Sequence, residues 1–338
     1  MQWLGLDIGG AQIKMADGRG FANSVPFAMW KQPDRLEQEL RTSIAHGPQC
    51  DHLAATMTGE LADCFRSKSE GVHFILEALR QAADGRHTRV YLSNGMLVTP
   101  QVAMTRPLDV AAANWHALAR FATRFVTQEV ALVIDIGSTT TDIIPVTNGE
   151  LVAKGRTDTE RLLHGELVYC GVERTPVCSL VESVPYRGQK CPVVREVFAT
   201  TRDVYLLLGE LPEDATSRLT ADGRMATKGA ARDRMSRMIA ADESIFNHKD
   251  AVMMCRAIAD AQSLIISRGV DRVIGQMASP PTAVVLAGEG EFLARRLFQR
   301  LQWKPRVVSL TQEIGLLPSR CGPAHALAVL AREAVGAT

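Results

Sequence analysis

The chain opens with an apolar run, a glycine pair and a second apolar run, and the same pattern returns in its middle. Residues 3–8 are followed by Gly9-Gly10 and by the run 11–16, a pattern typical of strand, tight turn, strand. The run 130–136 is followed by Gly137, four hydroxyl residues (138–141) and the apolar run 143–146. Two strand–Asp-x-Gly–strand hairpins so far apart predict an internal duplication, with one hairpin in each domain.

Alternating helical and strand periodicities fill the rest of the chain. The predicted helices cover residues 36–45, 71–83, 111–125, 193–208, 230–241, 250–267, 291–301 and 323–334. The predicted strands cover residues 53–57, 89–92, 282–287 and 306–310. Strands that alternate with helices favour an α/β fold with mixed sheets.

The length of 338 residues suggests two domains. We expect an N-terminal domain over residues 1–128 with the first hairpin, and a C-terminal domain over residues 129–338 with the second. Within the latter we expect an inserted helical region at about 190–245, whose polar stretch 212–229 is a loop or a lid over a site.

Charge and composition exclude several classes of partner. Lys and Arg total 38 and Asp and Glu total 37, so the net charge of +1 lacks the basic excess of a nucleic-acid or membrane-surface protein. No apolar run is long enough for a membrane helix, and the N-terminus lacks the pattern of a signal peptide. We therefore expect a cytoplasmic protein with small-molecule partners; a homo-oligomer remains open.

The spacing of the seven cysteines does not indicate a disulfide framework. They are odd in number, scattered and without a CxxC pair, which argues against disulfides. His164, Cys170, Cys178 and Cys191 are the only suggestive group, and their spacing is too loose for a typical zinc site.

The two hairpin turns have the chemistry of an anion site. Their glycines, Gly9, Gly10 and Gly137, let backbone N–H groups approach an anion closely. The hydroxyls of Ser138, Thr139 and Thr140 can donate hydrogen bonds to phosphate oxygens. Lys14, in the strand after the first turn, can extend its cationic group back toward the same anion. Asp7 and Asp135 would act through Mg²⁺, directly or through water. A solvent-facing turn is the plainer interpretation of either hairpin alone.

Three further groups are candidates for the same site. Gly288 and Gly290 form a GxG turn between a strand and a helix, which suits a flat ligand or tight packing. Glu60, Asp63 and Lys68 follow a strand, where a metal or phosphate site competes with a helix cap and a surface ion pair. Asp142 is a candidate for the metal shell or for the general base, or else a turn-edge carboxylate.

The two Asp-x-Gly hairpins and the GxG turn, in this order, resemble the sugar kinase, heat-shock chaperone and actin superfamily. That resemblance implies two ribonuclease-H-like domains that close on a phosphate-bearing ligand in a central cleft. Longer motifs narrow the resemblance to the hydantoinase/oxoprolinase-related proteins linked to tetrahydromethanopterin C1 transfer. The motifs begin at Met57, Asn114, Thr157, Gly165, Phe198, Gly209 and Thr220.

The family resemblance implies an enzyme that forms an aryl ether in methanofuran or methylofuran biosynthesis. A phenol oxygen of a tyramine or tyrosine unit would displace diphosphate from a furan-methyl diphosphate, with Mg²⁺ as cofactor. Asp7, Asp135, Asp142, Glu60 and Lys14 would then be catalytic, and the three glycine turns would hold the diphosphate. The acceptor pocket would include Asp63, Lys68, Glu166, Tyr169, Arg174 and Asp203, for which ordinary packing and surface pairing is the alternative.

Other functions stay open at this stage. An ATP-dependent small-molecule kinase of the same superfamily would use the same turns and an adenosine pocket near Gly288. ATP-assisted ring opening is typical of much longer relatives. A non-catalytic nucleotide sensor would need a partner-binding segment, which the sequence does not show.

Overall fold

The computed structural model describes residues 1–336 and contains two sheets of the same design. The strands are β1 (Trp3–Ile8), β2 (Gln12–Ala16), β3 (Ala22–Pro26), β4 (His52–Met57), β5 (His87–Tyr91), β6 (Leu97–Val98), β7 (Val130–Ile136), β8 (Thr141–Thr147), β9 (Glu150–Leu151), β10 (Leu167–Val168), β11 (Ser183–Tyr186), β12 (Gln189–Pro192), β13 (Ala283–Ala287) and β14 (Arg306–Ser309). The first sheet has the order β3-β2-β1-β4-β5-β6 and the second β10-β8-β7-β13-β14, with β9 beside β8.

Each sheet is mixed in the same way. In the first, β1 pairs antiparallel with β2 and parallel with β4; in the second, β7 pairs antiparallel with β8 and parallel with β13. The strand that ends in the Asp-x-Gly turn is therefore central in both sheets. This repetition confirms the predicted α/β fold with mixed sheets, and it agrees with the predicted duplication.

Helices cover both sheets. They are α1 (Leu36–His46), α2 (Lys68–Ala82), α3 (Pro100–Met104), α4 (Pro107–Val110), α5 (Asn114–Ala122), α6 (Asp158–His164), α7 (Val177–Leu180), α8 (Thr201–Leu208), α9 (Lys228–Arg237), α10 (His248–Ile274), α11 (Ala294–Leu301), α12 (Leu310–Ile314), α13 (Leu316–Arg320) and α14 (Gly322–Gly336). Short 3₁₀ turns lie at Pro33–Arg35, Thr123–Phe125 and Glu291–Leu293. Within residues 1–336, no helix combines the length and the apolar character needed to cross a membrane.

Two helices join the halves of the molecule. Trp115 and Leu118 of α5 pack with Val133 of the second sheet, whereas Ala117 packs with Trp3 of the first. Helix α14 lies so close to β1 that a Cβ on Gly5 would overlap the carbonyl oxygen of Ala324. The C-terminal helix is therefore built against the N-terminal sheet, which fixes the sheets on either side of a shared cleft.

One prediction about the inserted region was wrong in detail. The helix predicted over 193–208 begins only at Thr201, because Thr200 and Asp203 form a capping box there. Val193 and Val194 instead donate backbone hydrogen bonds to Glu182 and Met238.

Candidate active site

A cleft of about 530 Å³ lies between the two sheets and is lined by residues of both. Most of the candidates chosen from the sequence line it. These are Asp7, Gly9, Gly10, Lys14, Glu60, Asp63, Asp135, Gly137, Ser138, Thr139, Thr140, Asp142, Tyr169, Arg174 and Gly288. The fold thus brings together side chains that are more than 250 residues apart in the chain.

The two Asp-x-Gly turns have matching geometry. The Gly9 amide donates to the carbonyl of Gln12 at 2.9 Å, and the Gly137 amide donates to the carbonyl of Thr140 at 2.9 Å. The aspartates also match in register, since Asp7 faces Lys14 and Asp135 faces Asp142. Both turns therefore present the same backbone geometry to the cleft. The residue opposite the aspartate is basic in the first hairpin and acidic in the second.

Burial changes the acidity of the carboxylates at these turns. It raises the pKa of Asp7 to about 6, with Lys14 opposing and Asp142 adding to the rise. Burial also raises the pKa of Asp135 to about 7, with the charge of Asp142 adding to the effect. Among the described residues 1–336, Asp7 Oδ1 has no hydrogen-bond partner. An opposing positive charge in the cleft would therefore stabilise both groups in their ionised form.

The third glycine turn supports the second aspartate turn. Gly288 has a φ of +85°, and a Cβ there would overlap Asp135 Oδ1. Gly290 donates from its amide to the Ile136 carbonyl at 2.8 Å, and it does not line the cleft. The structure therefore places Gly290 behind the second turn and not in the cleft, where its lack of a side chain allows close packing against Ile136.

Glu60 lies on the side of the cleft that belongs to the first sheet. Its side chain is buried, and its Oε2 atom has no hydrogen-bond partner in the part of the chain that the structure describes. Burial raises the pKa of Glu60 to about 7, opposed by the charge of Lys68 and reinforced by that of Asp158. The start of α2 packs tightly on this residue, because a Cβ on Gly71 would overlap the Glu60 carbonyl.

An ion pair bridges the two halves of the molecule beside Glu60. Lys68 Nζ of α2 donates to Asp158 Oδ2 of α6 at 2.7 Å. Lys68 itself does not line the cleft, whereas Asp158 does. The structure therefore assigns Lys68 to this pair and not to direct contact with an acceptor.

Asp142 is held by an arginine that the sequence did not single out. Arg161 is 1% exposed; its Nη2 donates to Asp142 Oδ1 at 2.7 Å and to the Glu166 carbonyl at 3.0 Å. Its guanidinium lies 4.2 Å from the Trp115 ring centroid. The capping box at Thr157 and Glu160 was the only local signal, since it begins the helix that carries Arg161.

Two predicted acceptor residues lie outside the cleft. Glu166 accepts hydrogen bonds from the amides of Lys154 and Gly155 at 2.6 and 3.0 Å. Asp203 pairs with Arg234 at 2.6 Å and accepts from the Thr200 amide at the start of α8. Both carboxylates are hydrogen-bonded to structural partners, and the structure does not bring them to the cleft where an acceptor would bind.

The rim of the cleft carries exposed apolar and aromatic side chains. Trp30, Leu61 and Tyr169 are 38%, 57% and 63% exposed. Arg174 Cζ lies 5.2 Å from the centroid of the Trp30 ring, across the cleft. The Trp30 segment is bonded to the first turn through Met29 and Gly10, and the Arg174 amide donates to the Ser138 carbonyl of the second turn. The contact therefore joins the two turns.

The cleft also holds cations free for a ligand. Within residues 1–336, Lys14, Arg174 and Arg320 line the cleft without an ion pair. Burial opposes the charge on Lys14, yet the nearby carboxylates Glu289, Asp7 and Asp135 raise its pKa. Arg320 and Glu289 were missed from the sequence, because neither stands in a motif that marks a charged site.

The predicted lid does not cover the site. No residue between 190 and 245 lines the cleft. The stretch 212–229 instead folds back on itself through a bridge between Asp214 and Ala226, and Asp222 of this stretch pairs with Arg234.

Comparison with known proteins gives a consistent result. The family model described as hydantoinase/oxoprolinase matches residues 51–327. The chain is 32% identical to the (4-{4-[2-(gamma-L-glutamylamino)ethyl]phenoxymethyl}furan-2-yl)methanamine synthase of Methanocaldococcus jannaschii, over 97% of this chain and 96% of the relative. It is 28% identical to the synthase of that name from Methanococcus vannielii, over 63% of this chain and 97% of the relative.

Among solved structures, nucleotide-free acetone carboxylase matches with a TM-score of 0.51 at 10% identity. The match covers 97% of this chain and 70% of that one. At this identity the likeness concerns the fold alone.

Proposed function

The chain belongs to the hydantoinase/oxoprolinase family, and we propose that it is a transferase that joins a furan-methyl diphosphate to a phenol. The acceptor is a tyramine or tyrosine unit, with or without glutamate, and the second product is diphosphate. The observation that carries this proposal is the match along 97% of the chain to a synthase whose printed name describes a phenoxymethyl-furan. The reaction belongs to the biosynthesis of methanofuran or its bacterial counterpart, methylofuran.

In the proposed reaction, the phenol oxygen bonds to the exocyclic carbon of the furan while the bond from that carbon to diphosphate breaks. The electron pair of the broken bond leaves with diphosphate, and the phenol proton passes to a carboxylate of the cleft. The electron-rich furan stabilises positive charge at the exocyclic carbon. Departure of the diphosphate is therefore the step that the site must assist most.

The turns and cations of the cleft suit this task. Gly9, Gly10 and Gly137 leave room for an anion, and Ser138, Thr139 and Thr140 offer hydroxyl donors beside it. Lys14 supplies a half-buried positive charge near both Asp7 and Asp135. Donors and cations stabilise the charge that develops on a leaving group most strongly in such a preorganised environment with little water.

Asp7 and Asp135 fit a magnesium ion. Mg²⁺ is commonly held by one or two carboxylates together with water and substrate phosphates, and not by a cage of protein ligands alone. Residues 1–336 contain no group of three or more metal-ligating side chains, whereas Asp7 Oδ1 is buried without a partner at the anion site. When bound with diphosphate, Mg²⁺ would neutralise the charge of the leaving group.

Calorimetric titration tests this assignment against an ATP-dependent kinase. The purified protein is titrated with Mg²⁺–diphosphate and, separately, with Mg²⁺–ATP. The proposal predicts clear binding of diphosphate and little or none of ATP. ATP binding without diphosphate binding would contradict the synthase assignment and favour the kinase. Binding of neither ligand would show that the two Asp-x-Gly turns do not form an anion site.

A further inference from the structure

Five carboxylates other than the two at the turns line the cleft and are possible proton acceptors: Glu60, Asp63, Asp142, Asp158 and Glu289. Asp142 has one oxygen committed to the always-charged guanidinium of Arg161 at 2.7 Å. Asp158 is paired with Lys68 at 2.7 Å. Asp63 is exposed to solvent at the mouth of the cleft. Glu289 is only half-buried and lies near the charge of Lys14. None of these four offers a free carboxylate in a water-excluded position.

Glu60 differs from all four. It is 1% exposed, it lines the cleft, and its Oε2 atom has no hydrogen-bond partner within residues 1–336. An unpaired oxygen of a buried carboxylate is costly to maintain, because it gives up hydration without a replacement. A residue retained in that condition at a ligand cleft is typical of a group whose partner is the substrate.

From this geometry we propose that Glu60 Oε2 is the general base that removes the phenol proton of the acceptor. The inference rests on the proposed function and names the group that this function left unassigned. As the phenol O–H bond breaks, its proton moves to Glu60 while the oxygen forms the ether bond and diphosphate leaves. Asp142, fixed by Arg161, then serves to position the second turn.

The charged groups around Glu60 suit this role. Lys68 faces it from α2, Asp158 from the start of α6, and Asp7 from β1. Lys68 favours the ionised form of Glu60, whereas Asp158 and Asp7 disfavour it. Burial has the largest influence on the pKa of Glu60. A base whose pKa lies near neutrality combines a usable ionised fraction with enough basicity to assist a phenol, whose own pKa is about 10.

The test compares Glu60→Gln with Asp142→Asn on acceptors of graded phenol acidity: tyramine and its mono- and difluorinated forms, with fluorine beside the hydroxyl. A missing base matters less as the phenol becomes more acidic. We expect Glu60→Gln to lose about 100-fold or more in kcat with tyramine, and the loss to shrink steadily along the series. For Asp142→Asn we expect a loss that does not depend on phenol acidity.

A second readout is the pH dependence of kcat/KM. The wild-type profile should fall on the acid side of about pH 7, and this limb should be absent from Glu60→Gln. An equal loss with every acceptor, or an unchanged acid limb, would overturn the proposal. If the wild-type enzyme forms ether and Glu60→Gln is as active, only the base assignment fails; if the wild type forms no ether with any acceptor, the proposed function itself fails.

Discussion

Asp7 of β1 stands directly opposite Lys14 of β2, and the corresponding pair in the second hairpin is Asp135 opposite Asp142. The duplicated hairpins thus share their register and differ in charge, since an acid faces a base in one and an acid in the other. Lys14 interacts with the aspartates of both turns. One lysine therefore balances the carboxylates on both sides of the cleft, and a ligand anion would share it.

Replacing Lys14 should weaken diphosphate binding. Lys14→Met removes the half-buried cation. A charged hydrogen bond of this kind contributes about 1.5–3 kcal/mol, which corresponds to a loss of roughly 10–100-fold in affinity. Calorimetry with Mg²⁺–diphosphate measures the change. The matched control is Lys154→Met, whose side chain is exposed outside the cleft and whose loss should leave affinity unchanged. Equal affinity in both variants would show that Lys14 does not contact the anion.

Glu60→Gln should make the protein more stable at neutral and alkaline pH. Between its ordinary pKa of 4.5 and about 7, folded Glu60 keeps a proton that the unfolded chain has released. Stability from this group therefore decreases as the pH rises through that window, and the decrease is complete above pH 7. Gln does not titrate, so Glu60→Gln should match the wild type near pH 4.5 and exceed it by about 3 kcal/mol at pH 8.

Thermal unfolding of both proteins from pH 4.5 to 8 measures this difference, which amounts to several degrees in Tm. A constant or shrinking difference with rising pH would contradict the burial of an ionisable Glu60. A variant that is both more stable and less active is the result expected when a site holds an unsatisfied charge for its substrate.

Gly171→Ala should displace the second turn. A Cβ on Gly171 would lie 2.5 Å from the backbone of Ser138 and Thr139. The segment cannot retreat easily, because the Gly171 carbonyl accepts hydrogen bonds from Thr201 and Gln262 at 2.8 Å. We expect a loss of about 1–3 kcal/mol in stability together with a lower turnover.

The matched control is Gly229→Ala in α9, where a Cβ would have open space. Alanine suits a helix better than glycine, so the Tm of this variant should be unchanged or slightly higher. Thermal unfolding and a turnover assay on both variants separate the two sites. Full activity in Gly171→Ala would mean that the second turn tolerates displacement and is not part of the anion site.

Arg174 should determine the preference for an acceptor with a carboxylate tail. Its guanidinium is held over Trp30 without an ion pair in the described chain, so its N–H donors are open to a bidentate partner. We expect Arg174→Gln to raise KM for a glutamyl-tyramine at least about tenfold and to leave KM for plain tyramine unchanged. Steady-state kinetics with both acceptors give the comparison, and an equal change for the two would exclude recognition of the tail.

Local chemistry explains which parts of the fold could be predicted. The Asp-x-Gly hairpins combine apolar strands with glycine turns, and both signals lie within about a dozen residues. The capping box at Thr200 and Asp203 was equally local, and it would have placed the start of α8 correctly. The predicted lid failed because a polar, turn-rich sequence is common to all exposed loops and does not say which surface the loop packs on.

Site residues whose role depends on a distant partner could not be predicted. Arg161 is buried because Asp142, Trp115 and the Glu166 carbonyl surround it, and these belong to three other segments. Asp203 and Glu166 carry the residue type that a site needs, yet their hydrogen bonds go to structural partners. Residue type selects candidates, whereas the partners of each oxygen decide which carboxylates remain free for a ligand.

The most direct measurement is the reconstituted reaction. The purified protein is incubated with furan-methyl diphosphate, glutamyl-tyramine and Mg²⁺, and the products are followed by mass spectrometry and by a diphosphate assay. The account predicts an aryl ether and diphosphate in equal amounts, both abolished by Asp135→Asn. Diphosphate released without ether, or a phosphorylated acceptor formed from ATP in place of the ether, would contradict it.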